Sequence, residues 1–304
     1  MADQWTPRAS LGENLRYNLF HILPTALQGT FTRRRFWVGL FSRVLRDPGA
    51  VRFYQRLRAR HASNYVYVRV LATPTLLVMG ADGVRRVLER SPEVYGPGAD
   101  KRAGLAHFQP DAVTISTGRA WYDRRRFNDA VLGPAAGPGH PFAGHFLDVV
   151  ERDVPAALAA AGGTLDWNAF DRLFARLTRQ VILGPAAADD DRLTRQLRQL
   201  MRAANRLWGR GRRTKLFDAF YRRLGAYLGS ATGRDPTLAG LCAVTPHTDA
   251  TRVVNQVPHW MFAVWETLST NAARALALIA AHPHAEARVR EELAAQGPLT
   301  AAGV

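Results

Sequence analysis

The stretch Phe262-Ala263-Val264-Trp265-Glu266-Thr267-Leu268 sets a carboxylate beside a hydroxyl inside a long apolar-periodic segment. Val253, Val257, Met261, Val264, Leu268 and Leu276 recur on one broad face around it, so the spacing predicts a helix running to Ala281. Thr248 or Asp249 is placed to cap its start, and His282-Pro283 closes it. Pro258 predicts a kink or a fresh helix start. An acid in a buried helix loses water and resists ionisation unless it finds a partner. Glu266-Thr267 therefore reads as the wall of a cavity where protons move. The plainer reading puts Glu266 on a solvated face and bonds Thr267 to a backbone carbonyl.

Working outward, most of the chain reads as helix. Predicted helices cover Val51 to Arg60, Ala81 to Glu89, Arg119 to Leu132, Pro141 to Ala161, Asn168 to Leu183, Asp190 to Trp208, Leu216 to Leu228 and Ala285 to Ala295. Thr117 is a candidate cap for the third of these. Tyr65 to Val70 and Thr75 to Met79 read as two short strands joined by a turn at Ala72-Thr73-Pro74. Tyr95 to Ser116 and Thr232 to Thr248 read as loops, and a loop as long as the first is usually functional. Breaks fall at Gly133-Pro134 and Gly137-Pro138-Gly139, a basic turn at Gly209 to Arg213, and a small-residue tail at Gly297 to Val304. Neither an internal repeat nor a low-complexity linker appears, so residues 1–304 read as one domain with residues 1–48 as a lead segment.

Composition bounds the function. The 304 residues are 47% apolar and 22% charged, values of an ordinary globular chain. No apolar run reaches bilayer length, and Met1 to Pro24 lacks the features of a signal peptide. Phe36 to Leu45 is apolar on one side and follows Arg33-Arg34-Arg35, so membrane contact is expected to be peripheral at most. A single cysteine, Cys242, excludes an internal disulfide framework and a multi-cysteine metal site, and fits a reducing cytoplasm. The net charge of +16 is nearly all arginine, since Lys101 and Lys215 are the only lysines. The excess is scattered and comes without zinc-finger, RNA-stacking or basic-zipper patterns, so no nucleic acid is expected and an acidic protein partner fits better.

Trp121 and Arg125 stand four apart, hence on one helix face. An indole N–H beside a guanidinium fork suits a carboxylate or phosphate, although a core tryptophan beside a solvated arginine gives the same letters. The histidines have no metal-ligand spacing beyond His282 and His284, at a helix end.

In order and spacing, these segments resemble the amino-terminal two-thirds of the cytochrome P-450 family of haem-thiolate monooxygenases. The strand pair and the helix Ala81 to Glu89 are similar to that family's first sheet and following helix. Gly118-Arg119-Ala120-Trp121-Tyr122-Asp123-Arg124-Arg125 resembles its W-x-x-x-R helix. Ala263-Val264-Trp265-Glu266-Thr267 resembles its oxygen-activating motif [AG]-G-x-[DE]-T-[TS], and Ala285 to Leu293 the helix after it. The resemblance implies a mainly α fold with a small β-sheet, haem b as cofactor, and oxidation or hydroxylation of an apolar small molecule. It implies dioxygen as oxidant and a ferredoxin or reductase as electron donor. Trp121 and Arg125 would bind a haem propionate, Ala263 would line the distal haem face, Thr267 would hold a water or hydrogen-bond dioxygen, and Glu266 would relay protons. Arg124 and Arg126 would contribute a basic face for the electron donor.

Three departures qualify that reading. Val264 replaces the motif glycine and Leu268 its second hydroxyl residue. The family's E-x-x-R helix is missing from its expected place; Glu13-Asn14-Leu15-Arg16 matches by chance at the wrong end. The haem-binding cysteine loop is missing too, since Cys242 precedes the central helix and lacks the flanking glycines. The chain therefore reads as a carboxy-terminally truncated member, expected to be inactive without the axial thiolate. Two other readings stay open: a haem-free helical binding module, and a basic binder of nucleic acid or an acidic protein.

Overall fold

The structure, a computed structural model, describes residues 6–44, 47–133, 139–205 and 214–296. The expected features at Pro134, Gly137-Pro138, Gly209 to Arg213 and Gly297 to Val304 lie outside these residues, as does the end of the helix expected to reach Trp208. The fold is mainly α-helical with one two-stranded antiparallel sheet. Its residues gather into two compact units, Met1–Gly98 with Met201–Gly211, and Ala99–Leu200 with Arg212–Val304.

The first unit opens with α1, Leu11–Tyr17. Ser10 and Glu13 form a reciprocal capping box at its start. A π turn, Asn18–Ile22, carries the helix into α2, Leu23–Gln28, and Gly29 ends it at φ +90°. Helices α3 (Arg35–Val44) and α4 (Asp47–His61) follow, then β1 (Tyr65–Val70), β2 (Thr73–Val78) and α5 (Ala81–Glu89). Tyr17, Phe53, Leu57, Val66 and Val68 form the core between α1, α4 and the inner face of the sheet. Asn205 ties in the later segment: its side chain accepts from the Phe31 N–H at 2.8 Å and donates to the Thr32 carbonyl at 2.6 Å.

The predicted proline turn is displaced. Thr73 and Pro74 belong to β2, and the chain reverses at Leu71-Ala72, with Leu71 at φ +55°. Pro74 stands opposite Arg69, whose N–H and carbonyl turn away from β2 to the side chains of Asn14 and Asn18. That pair carries no ladder bonds, so the nitrogen of Pro74 also points outward and its missing N–H costs the sheet nothing.

The regular elements of the second unit are all helical among its described residues. It contains α6 (Ala99–Leu105), α7 (Gly118–Leu132), α8 (Ala143–Ala160), α9 (Trp167–Leu183) and α10 (Asp191–Ala204), whose last turn passes into the first unit. Then come α11 (Thr214–Ser230), α12 (Leu238–Val244), α13 (Val253–Phe262), a π turn (Ala263–Leu268), α14 (Ser269–Ala280) and α15 (Pro283–Gln296). Helix α9 is central and packs against α8, α12, α13, the π turn and α14. Arg179, within α9, is buried and donates to the carbonyls of Ala187 and Ala188, to Thr194 and to Asp191. It thereby fixes the turn between α9 and α10.

Both expected loops contain helix. Tyr95 to Ser116 holds α6 and a short 3-10 turn, Val113–Ile115, while Thr232 to Thr248 holds α12. The cap positions are right but the chemistry differs. Thr117 stands at the N-cap of α7 without a side-chain bond. Thr248 caps a 3-10 turn, Asp249–Thr251, and the left-handed Arg252 separates that turn from α13. The helix runs through Pro258, and its irregularity comes five residues later, at Ala263.

Candidate functional site

The site lies in the second unit, where the helix after α13 widens into a π turn at Ala263–Leu268. A π turn fits an extra residue into a turn and opens the helical hydrogen-bond ladder locally. Trp265 is buried there, and its indole N–H donates to Asp171 of α9 at 3.0 Å. With Trp265 turned inward, Ala263, Thr267 and Leu268 face outward and are exposed.

Glu266 sits between these two faces. Arg198 of α10 donates to its carboxylate at 3.3 Å, and the same guanidinium donates to both oxygens of Asp171, at 2.7 and 2.9 Å. The guanidinium also lies 4.2 Å from the Trp265 ring centre, a cation–π distance. Asp171, Arg198, Trp265 and Glu266 therefore form one cluster built from α9, α10 and the π turn. The expectation of an acid and an alcohol both buried in the helix is corrected: the Glu266 side chain is 22% exposed and ion-paired, and Thr267 faces outward. The cost of burying the acid is offset by Arg198.

Helix α7 carries the second pair. Trp121 is half-buried, edge-on to the Tyr122 ring at 5.1 Å. Arg125 is exposed, and its Nε donates to Asp129 at 2.8 Å. The buried side of α7 is instead Arg124, Phe127, Asn128 and Val131. Arg124 donates to Ser116 at 2.6 Å, to Asp111 at 2.9 Å and to the Ala250 carbonyl at 3.1 Å. This corrects the expectation that Arg124 lies on a basic docking face: its charge is spent inside the unit, and of the expected pair only Arg126 is exposed.

The two helices are joined through α13. The Trp260 indole donates to Asn128 at 2.6 Å and stacks on Phe127 with ring centres 6.3 Å apart. Gln256 donates to the carbonyls of Asp111 and Thr251 and accepts from Asn128. Asn255 donates to Asp111 at 2.5 Å. Among the described residues, neither Trp121 nor Arg125 hydrogen-bonds to Glu266 or Thr267; the connection is this buried polar network. Apolar counting misses it because half of the buried face of α7 is polar.

Two further buried groups lie in the same unit. His259, on α13 four residues before Ala263, has a buried Nδ1 with no hydrogen-bond partner. Burial, then the charge of Lys101, pushes its pKa down, so the ring is neutral at pH 7. Cys242 is buried on α12, and burial pushes its thiol up to about 12. It is a neutral thiol, not a thiolate ligand. Among the described residues no group of three or more histidine, cysteine or acidic side chains is arranged to hold a metal ion. No family model and no curated protein matches the chain.

Proposed function

We propose that the second unit carries the distal half of a haem-thiolate monooxygenase centre of the cytochrome P-450 type, which oxidises an apolar small molecule with dioxygen and electrons from a ferredoxin or reductase. The observation that carries this reading is the π turn at Ala263–Leu268: the helix opens at the residues holding the acid and the alcohol. The Trp121 indole has no hydrogen-bond partner among the described residues, and Arg125 uses only its Nε, on Asp129. Both therefore have N–H groups for the carboxylates of a haem. Their fit is to the acidic edge of that group. The chain's one cysteine, Cys242, is a buried neutral thiol and does not fit as a thiolate ligand to that group.

Bound haem with a thiolate ligand supplies the oxygen chemistry. The outward Thr267 hydroxyl is placed to hold a water at the opened helix. Glu266, 22% exposed, has access to solvent for a proton relay and is held in place by Arg198 at 3.3 Å. Leu268 and Leu276 are exposed on one side of this helix, apolar surface suited to cover by further protein.

Haem titration of the purified chain, followed by Soret absorbance, tests the reading. Trp121→Phe with Arg125→Gln is expected to weaken haem uptake about tenfold, the loss of roughly 1.4 kcal/mol of hydrogen bonding. Reduction under carbon monoxide is expected to give no thiolate-type band. Uptake unchanged by the double substitution would remove both residues from the site, and a thiolate-type band would overturn the assignment of Cys242.

A further inference from the structure

The helix from α1 through α2 carries apolar residues on its outward side as well as its inward one. Inward, Tyr17 enters the core, and beside it Asn14 accepts from the Arg69 N–H at 2.6 Å and Asn18 from the Leu71 N–H at 2.7 Å. Its outward side carries Leu11, Leu15, Leu19 and Leu23 at every fourth position, all exposed, from 90% at Leu11 to 45% at Leu23. Phe20 is exposed beside them. A lone exposed leucine is ordinary, but a four-residue leucine stripe on a helix that already sends Tyr17 into the core on its other side is not. On the next helix, α3, Phe36 and Leu40 repeat the pattern with the same spacing.

Charge identifies what covers this face. Fifteen arginines, no lysine and five acidic residues lie between residues 6 and 98. Arg8, Arg16, Arg33, Arg35 and Arg43 are exposed along these helices, and among the described residues none has an acidic partner. The one acid among residues 6–44, Glu13, is occupied by the Ser10 N–H at 2.7 Å and by His61 at 3.2 Å. We infer that this leucine face lies on an anionic membrane surface, with α1–α2 in the interface plane and the arginines on the lipid headgroups. No helix of the described residues is long and apolar enough to cross a membrane, so the contact is one of surface binding. A second copy of the chain would bring equal positive charge against this face, and a nucleic acid would leave the leucines in water.

Flotation of the full chain with phosphatidylcholine vesicles, with and without phosphatidylserine, tests the inference. Binding is expected at least tenfold tighter with phosphatidylserine and weaker as salt rises. Leu15→Gln with Leu19→Gln is expected to lower partitioning about tenfold or more, because both side chains leave water on binding. Arg16→Gln with Arg35→Gln is expected to erase most of the preference for phosphatidylserine. These positions are exposed, so circular dichroism and the urea midpoint should stay unchanged; if the leucine pair does alter folding, Leu11→Gln with Leu15→Gln replaces it. Equal vesicle binding by the wild type and the leucine variants overturns the inference. So does a failure to bind either vesicle, whether the face then mediates a leucine-dependent dimer or a salt-sensitive nucleic-acid complex.

Discussion

Arg124 and Arg125 are adjacent, yet their energetic roles differ. Arg125 is half in solvent and paired with Asp129 one turn away, so Arg125→Gln should change stability by no more than about 0.5 kcal/mol in urea unfolding. Arg179 is 2% exposed and holds four partner residues across the α9–α10 turn, so Arg179→Met should cost about 3–5 kcal/mol in the same measurement. A loss below about 1 kcal/mol would show that the turn is fixed by packing alone. A W-x-x-x-R spacing selects Arg125, and nothing in the local letters selects Arg124, whose partners lie up to 126 residues away. The pairing of Glu266 was equally illegible, because Arg198 and Asp171 come from two other helices.

At the scale of elements, the long helices of the second unit were legible and its short ones were not, while in the first unit the helix from Leu11 to Gln28 went unread. Helices α8, α9 and α11 each run through several turns and repeat their apolar side often enough to be read. Helices α6 and α12 have seven residues each, too few for a period to stand out. Helix α12 is further disguised because Leu238, Ala239, Gly240 and Cys242 are all buried, leaving no polar side to alternate with. Gly240 is tightly constrained: a Cβ there would come 2.2 Å from the Asp235 carbonyl oxygen and 2.9 Å from that of Thr232. Gly240→Ala should therefore destabilise by about 1–3 kcal/mol. Cys242 offers the readout, since its buried neutral thiol should resist alkylation at pH 8 in the wild type and react faster in the variant. Equal labelling rates would mean that Cys242 reacts without any opening of α12.

Across the whole molecule, stability should fall in acid, in two stages. Burial alone would raise the Asp153 carboxyl, but hydrogen bonds from Gln180, Arg152 and Arg176 outweigh it and hold the pKa low. Asp190 is likewise held low, burial being outweighed by Arg223, Tyr227 and the Leu193 N–H. For both, the unfolded chain binds the proton more readily, so their contribution is full above the ordinary carboxylate pKa of about 4 and is lost as pH drops through the lower folded value. His259 and His21 are also depressed, mainly by burial, so each favours the unfolded state once pH falls below about 6.5. Urea midpoints should be level between about pH 7 and 8, decline gently below about 6.5, drop steeply below about 4, and fall again above about pH 9 as the Cys242 thiol ionises in the unfolded chain. Asp153→Asn should flatten the steep part; an unchanged slope would mean that other carboxylates dominate.

The hairpin of the first unit can be extended on one side only. Along β1 every outward backbone group is engaged from Tyr67 to Leu71: the Tyr67 N–H meets the Pro7 carbonyl, the Tyr67 carbonyl takes the Ala9 N–H, and Asn14 and Asn18 hold the rest. A strand arriving there would find no donor or acceptor to pair with. Along β2 no hydrogen bond from the described residues covers the outer edge, but at Pro74 it offers a carbonyl with no N–H beside it. Any strand that joins this sheet, from the same chain or another, must therefore align along β2 and leave one of its own carbonyls without a backbone donor opposite Pro74, which fixes the side of the addition and weakens it there.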